Sequence, residues 1–386
     1  SQQPDSNDDT SNMINYQPLE GFVYAVTPNN FIAINGNLPT LPLMLGNVVI
    51  AKPSSDVVYS FNLFREILHK AGVPSDVLAV LYGNSALVSD ILMNHKMFAG
   101  VHFTGGTDVF NGFWKTVGAN IANYNAYPRI VGETGGKDPI VVYDDADPKQ
   151  VAVSLAVGAF GAQGRKCSST SRVYMSTEMW PLVRPHLRDV MRQMRTGDVG
   201  DFKNFMGAMI NAAEYIKVKA YIDRARASVM TLDGAVLEFW GGDANDATGW
   251  FIEPAVARVN DPNYESMQEE IFGPFVTVCT LPKEKFANGE VLAICNGTSP
   301  YGLTGAVHTS DVYRFCEALH ELRYSAGNFY DDRTTAAMVD KQPFSGGRKS
   351  GTNSKVGWWP SLMPWVNMQT VCLRTLKTTF PPAYLG

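Results

Sequence analysis

Among five cysteines, Cys167 is set apart by its surroundings, GAQGRKCSSTSR, a polar and glycine-flanked turn with Arg165 and Lys166 directly before it. A sulfur nucleophile must be ionised, and nearby cations or backbone N–H groups favour the thiolate while apolar burial opposes it. Cys279, Cys295, Cys316 and Cys372 lie inside apolar runs and read as buried structural thiols. Glu133, in RIVGETGGKDP, closes an apolar strand-like run ahead of Gly135 and Gly136. A carboxylate at a strand end can serve as a general base, and the two glycines signal close approach of a ligand or another backbone. Against these stand the ordinary readings of a buried cysteine and a solvated glutamate.

Lys52 ends the run NVVIAKPS, where an ammonium reaches ribose or phosphate groups lying across a sheet edge; a solvated lysine is the alternative. The FTGG turn at Phe103 to Gly106 opens a helix and can present backbone N–H groups to a pyrophosphate, although GxGxxG and GxxxxGKS are both absent. No GxSxG elbow occurs and the six histidines are scattered, which disfavours a Ser/His/Asp site. His95, His102 and His308 read as surface or satisfied side chains.

The elements needed to position these groups follow from the hydrophobic rhythm. Short apolar runs, GFVYAVTP, NVVIAKPS, VLAVLYG, GVHFTGG and RIVGETGG, predict five strands, with a helix over 57–71 that stops at Gly72 before Pro74. Alternation of strands and helices implies a parallel, doubly wound α/β sheet, whose ligands bind beyond the carboxyl ends of the strands. After Gly136 a second α/β unit is predicted: DPIVVYDDAD as a strand, a helix near 151–163, the strand SRVYMS and an amphipathic helix over 180–195. GGDANDAT, 241–248, reads as a surface turn ahead of the strand-like GWFIEPAVARV. The tail from Val356 contains the β-prone MQTVCLRTLKTTF, expected to pair with another strand, a partner subunit's being one candidate, while the polar opening SQQPDSNDDTSN predicts a flexible arm or an internal cut point of a longer chain.

The 386 residues carry 32 Lys+Arg against 37 Asp+Glu and a formal net charge of −5, which lacks the basic footprint of a nucleic-acid binder. Scattered cysteines without ligand spacing suggest neither a disulfide framework nor a metal site, and no apolar stretch predicts a membrane span.

Taken in order, TPNNF, AKPS, FTGG, GETGGKD, QGRKCSS, EEIFGP, AGNFY and PFSGGRKSGT resemble the aldehyde dehydrogenase superfamily from about Leu19 onward. GNLPTLPLMLGNVVIAKPS, YPRIVGETGGKD and SGTNSK resemble in particular its mitochondrial Δ1-pyrroline-5-carboxylate (glutamate-γ-semialdehyde) dehydrogenases. The resemblance implies NAD-dependent aldehyde oxidation through a thiohemiacetal and a thioester. Cys167 would be the nucleophile, Asn30 an oxyanion donor and Glu133 the base. Lys52 and Glu270 would hold the two riboses of NAD, with Phe272 beside the nicotinamide and Pro28, Ser54, Gly105 and Gly106 completing the cofactor site. Ser168, Lys166, Ala336, Ala337 and Phe344 would contact the aldehyde substrate.

The sequence departs from that pattern in places. Ala336 and Ala337 stand where a Gly-Ser pair anchors the glutamate-like end, Gly106 replaces a serine, and Asp138 replaces an asparagine. The resemblance further implies residues 19–134 as the NAD-binding domain without its N-terminal helical part and 135–355 as the catalytic domain. It makes 356–386 a bridging segment and 1–18 an arm or oligomerisation segment. It also implies a homodimer or higher oligomer, a partner chain or missing N-terminal fragment over the exposed face, and a mitochondrial-matrix location. A non-catalytic subunit of a larger assembly, and a dehydrogenase of another aldehyde, are the competing readings.

Overall fold

The computed structural model describes residues 3–7, 10–229, 235–338 and 341–374. After β1 (Thr10–Gln17), strands β2 (Phe22–Thr27), β3 (Val48–Pro53), β4 (Leu78–Val80), β5 (Phe98–Thr104) and β6 (Arg129–Glu133) appear where the five apolar runs predict them. The latter five form a parallel sheet in the order β4-β3-β2-β5-β6. The chain leaves β2 toward β3 and β4, then crosses back to lay β5 on the other side. That reversal opens a crevice beyond the carboxyl ends of β2 and β5.

The crossovers are helices α1 (Ile32–Met44), α2 (Val58–Lys70), α3 (Ser85–Met93) and α4 (Thr107–Ala119). α2 ends as its sequence predicts: Gly72 adopts φ +101, a conformation that L side chains resist, and the chain leaves the helix there. Val23, Val49 and Phe61 pack one face of the sheet, and Val101, Phe103 and Phe113 the other.

Strands β7 (Asp138–Val142), β8 (Thr170–Ser176), β9 (Val236–Gly241), β10 (Ala255–Val259), β11 (Phe275–Leu281), β12 (Thr304–His308) and β13 (Asn328–Asp331) build a second sheet. Its order is β13-β12-β7-β8-β11-β10-β9, parallel except for β9. Every residue of β7, β11 and β12 is buried, as a sheet covered on both faces requires. Leu155 of α5 (Pro148–Phe160) and Leu187 of α6 (Trp180–Gln193) cover one face, while Ile222 of α7 (Ala212–Ser228) covers the other.

Four features differ from expectation. The helix predicted to reach residue 163 ends at Phe160, and Gly161–Gly164 form a 3-10 turn in which Ala162 and Gln163 take φ 53 and 57. α6 stops two residues short of 195. Residues 10–17, inside the predicted arm, pair antiparallel with β14 (Asn367–Arg374), from Thr10 opposite Arg374 to Gln17 opposite Asn367. The strand expected for the C-terminal tail thus finds its partner within the same chain; the remainder of that tail, from 375, lies outside the described residues. This ribbon is largely exposed and has no apolar face for a pattern to reveal. Cys279 and Cys295 are buried as expected, whereas Cys316 and Cys372 are exposed, because an apolar run on a helix edge or in a two-stranded ribbon need not face a core. Among the described residues no helix is long and apolar enough to cross a membrane, and no cluster could hold a metal ion.

Candidate active site

Cys167 lies between the Gly161–Gly164 turn and β8, on a loop backed by the Gly135–Gly136 segment that follows β6. A Cβ built on Gly136 would fall 2.3 Å from the Cys167 carbonyl oxygen and 2.5 Å from Asp138 Oδ2. The close approach signalled by the glycines is therefore with the Cys167 loop itself. Any side chain at 136 would push that loop away.

The thiol of Cys167 is half-buried, and its pKa is pushed well above the usual thiol range. Burial is the main cause, followed by the negative charges of Asp138, Glu133 and Glu270; a backbone hydrogen bond from Ser168 acts in the opposite direction. The two cations expected to favour the thiolate point elsewhere. Arg165 pairs with Glu214 at 2.6 Å, and Lys166 Nζ lies 5.9 Å above the Phe31 ring. Successive residues of a tight turn diverge, so adjacency in sequence does not bring their charges to the sulfur. Ionisation needs a proton acceptor in the crevice.

Glu133 is the last residue of β6 and is 8% exposed. Ser345 Oγ donates to its Oε1 at 2.5 Å and the Gly346 N–H to its Oε2 at 3.1 Å. Burial raises its pKa to about 8, with these two donors and the Lys355 charge limiting the rise. A carboxyl that titrates there can take a proton from water near neutral pH. Sequence reasoning missed Ser345, although its hydroxyl sits directly after Phe344 in PFSGG.

Asn30 follows β2, and its Nδ2 donates to the Arg165 carbonyl at 3.0 Å, which joins it to the nucleophile loop and leaves one amide hydrogen available. Lys52, near the end of β3, is 2% exposed and donates to the Pro53 carbonyl at 2.9 Å; burial lowers its pKa. Pro28 and Ser54 lie beside it at the strand ends, with the Ser54 N–H donating to the Thr27 carbonyl at 3.1 Å. The Gly105 N–H bonds the Glu133 carbonyl at 3.2 Å, tying the glycine turn to the end of β6.

Gly106 caps α4, and nothing approaches within 4 Å of where its Cβ would stand, so the space beside the N-terminus of this 13-residue helix is open. Glu270 accepts from the Gly136 N–H at 3.0 Å, and burial raises its pKa. Phe272 takes φ +60. Cys167, Lys166, Glu270 and Phe272 line one cavity of about 20 Å³, room for roughly one water. An open helix N-terminus and a buried lysine as donors, with a carboxylate beside the thiol as an acceptor, suit the phosphates and ribose hydroxyls of a dinucleotide.

Ser168 is 3% exposed. Its Oγ accepts from the Ala337 N–H at 3.3 Å, and its carbonyl accepts from Thr335 Oγ1 at 2.9 Å. The Ala336 N–H donates to Thr334 Oγ1 at 3.2 Å. The loop expected to anchor the substrate therefore abuts the nucleophile loop, but hydroxyl oxygens already engage both of its N–H groups. Phe344 is backbone-paired with Val356 at 2.9 and 3.0 Å.

The mitochondrial Δ1-pyrroline-5-carboxylate dehydrogenase of Dictyostelium discoideum is 41% identical over 374 residues, 96% of this chain and 65% of that protein. The human protein of the same name is 36% identical over 372 residues, 96% and 65% respectively. A Δ-pyrroline-5-carboxylate dehydrogenase from Mycobacterium tuberculosis, crystallised with NAD, superimposes with a TM-score of 0.90 at 37% identity, covering 100% of this chain and 70% of that one. The chain thus spans about two thirds of the length of the curated relatives it matches. Its residues 1–371 match the aldehyde dehydrogenase family, and the chain belongs to that family.

Proposed function

We propose that the protein is an NAD-dependent dehydrogenase that oxidises L-glutamate-γ-semialdehyde to L-glutamate in proline catabolism. The observation that carries the reading is the shared cavity of Cys167, Glu270 and Phe272, with Asn30 bonded to the same loop. The names of the relatives support the substrate.

In this reading Cys167 gives its thiol proton to the Glu133 carboxylate, which passes it to solvent; Sγ attacks the aldehyde carbon, and the developing oxyanion is met by Asn30 Nδ2 and the Cys167 N–H. Bound NAD would supply the acceptor for the hydride of that carbon, and Cys167 would then hold the acyl group as a thioester. Glu133 then removes a proton from water, the water attacks the thioester, the C–S bond breaks, and the acid departs as the thiol is restored. Lys52 and Glu270 hold the riboses, and the α4 N-terminus beyond Gly105 and Gly106 receives the pyrophosphate, with Pro28 and Ser54 bordering it. Phe272 packs beside the nicotinamide. Ser168, Lys166, Phe344, Ala336 and Ala337 contact the substrate, while the N–H groups of 336 and 337 stay on the Thr334 and Ser168 hydroxyls. Residues 19–134 form the NAD-binding domain and 135–355 the catalytic domain, with the β1/β14 ribbon available to a second copy in a homodimer or higher oligomer. Relatives named mitochondrial support a matrix location.

The test is NADH formation from glutamate-γ-semialdehyde, followed at 340 nm. Wild type is expected to turn over, and Cys167→Ser to lose about 10³-fold or more. Bound NAD with no turnover of any aldehyde would overturn the reading. Turnover of simple aliphatic aldehydes but not the semialdehyde would overturn the substrate.

A further inference from the structure

We infer that Arg165 is a positioning residue: it braces the two domains across the crevice and holds Phe272 and the Asn29–Asn30 turn in register with Cys167. The inference rests on the reading of the crevice as the NAD site.

The guanidinium is nearly buried and makes four contacts. NH1 pairs with Glu214 Oε2 at 2.6 Å and lies 3.4 Å from the Phe272 carbonyl, and NH2 bonds Asn29 Oδ1 at 3.3 Å. Its carbon stands 4.7 Å over the Phe272 ring centroid. The backbone of the same residue accepts from Asn30 Nδ2 at 3.0 Å, and Cys167 follows two positions later.

These contacts belong to a closed circuit. Asn29 Nδ2 donates to Asp56 Oδ2 at 2.8 Å, and Asn211 Nδ2 donates to the same oxygen at 3.1 Å. Asn211 caps α7 by accepting the Glu214 N–H at 2.9 Å, and Glu214 returns to Arg165. Asn29 and Asp56 come from the first sheet's domain, and Arg165, Asn211 and Glu214 from the second. The circuit therefore crosses between domains twice, at Arg165–Asn29 and at Asp56–Asn211.

A planar fork suits this task, because its donors reach several acceptors in fixed directions, which an ammonium cannot do. Phe272 also needs such a hold: φ +60 is a strained region for an aromatic residue and persists only where the surroundings impose it. Gripping its carbonyl and its ring from one side supplies that constraint. Among the described residues the hydrogen bonds of the five circuit side chains go to one another and to Ser54, Phe272 and Lys217 rather than to the thiol, so the role is to place the groups around it.

The test compares wild type, Arg165→Met and Asn29→Ala in the purified protein. Arg165→Met leaves Glu214 paired with Lys217 at 2.9 Å, and Asn29→Ala cuts one arm while keeping the Arg165–Glu214 pair. Three quantities are read: kcat per alkylatable Cys167, KM for NAD, and the rate of Cys167 alkylation by iodoacetamide. We expect kcat per thiol to fall between about tenfold and 100-fold in Arg165→Met while KM for NAD changes less than about threefold, because misplacement costs the reaction step more than it costs binding. Asn29→Ala should show the same split to a smaller degree. The alkylation rate, which needs no turnover, should change by about fivefold or more as the loop loosens. If kcat per thiol and alkylation both stay within about twofold of wild type in both variants, the brace is refuted. A wild type that makes no NADH refutes the dehydrogenase reading instead, and alkylation then decides the brace alone.

Discussion

The raised pKa of Glu133 makes the thioester-hydrolysis step the most direct test of the site's electrostatics. With a midpoint of about 8, roughly 9% of Glu133 is ionised at pH 7 and roughly 91% at pH 9, so base-catalysed deacylation should rise about tenfold between them. Ser345→Ala removes the 2.5 Å hydroxyl bond to Oε1. A hydrogen bond to a charged group is worth about 1.5–3 kcal/mol, and 1.36 kcal/mol corresponds to one pKa unit. The midpoint should therefore climb by about one to two units in that variant, slowing deacylation at pH 7. The assay acetylates Cys167 with 4-nitrophenyl acetate, jumps the pH, and follows loss of the acetyl group by mass spectrometry; thiol ionisation then plays no part. Glu133→Gln, expected to deacylate about 10² to 10⁴ times more slowly, supplies the hydroxide background. A wild-type midpoint in the ordinary carboxylate range, or one unmoved by Ser345→Ala, would refute the argument.

Two further perturbations probe the surroundings. Asp138, 1% exposed, keeps its Oδ1 on the Thr304 N–H while burial raises its pKa to about 8. A raised carboxyl stabilises the fold below its unfolded value near 3.8 and loses that contribution as pH rises through about 8. Asp138→Asn should thus be more stable than wild type at pH 8.5 in urea titrations, and its Cys167 should alkylate faster because a negative charge is gone; equal stability and equal reactivity would contradict this. Trp365 is fully buried, with its ring 4.9 Å from His102 and its carbonyl bonded by Asn47 Nδ2 at 2.9 Å. Trp365→Ala should cost about 3–5 kcal/mol in denaturant unfolding, and a loss below about 1 kcal/mol would show that the C-terminal segment does not pin the first domain.

The amino-acid sequence alone determined the two α/β units, the five strands of the first sheet and the candidates Cys167, Glu133 and Lys52. These are legible because apolar periodicity and turn chemistry are local, and the eight motifs recur in order. What surrounds each candidate was decided only by tertiary structure. Glu133 meets Ser345 from 212 residues away, and Arg165 meets Glu214 rather than the thiol two positions along. Asp138 lies close to the Cys167 carbonyl through the gap at Gly136, and Thr10 pairs with Arg374 at opposite ends of the chain. A charge acts through distance and through the water excluded around it, and both are properties of the packed molecule that no spacing along the chain encodes.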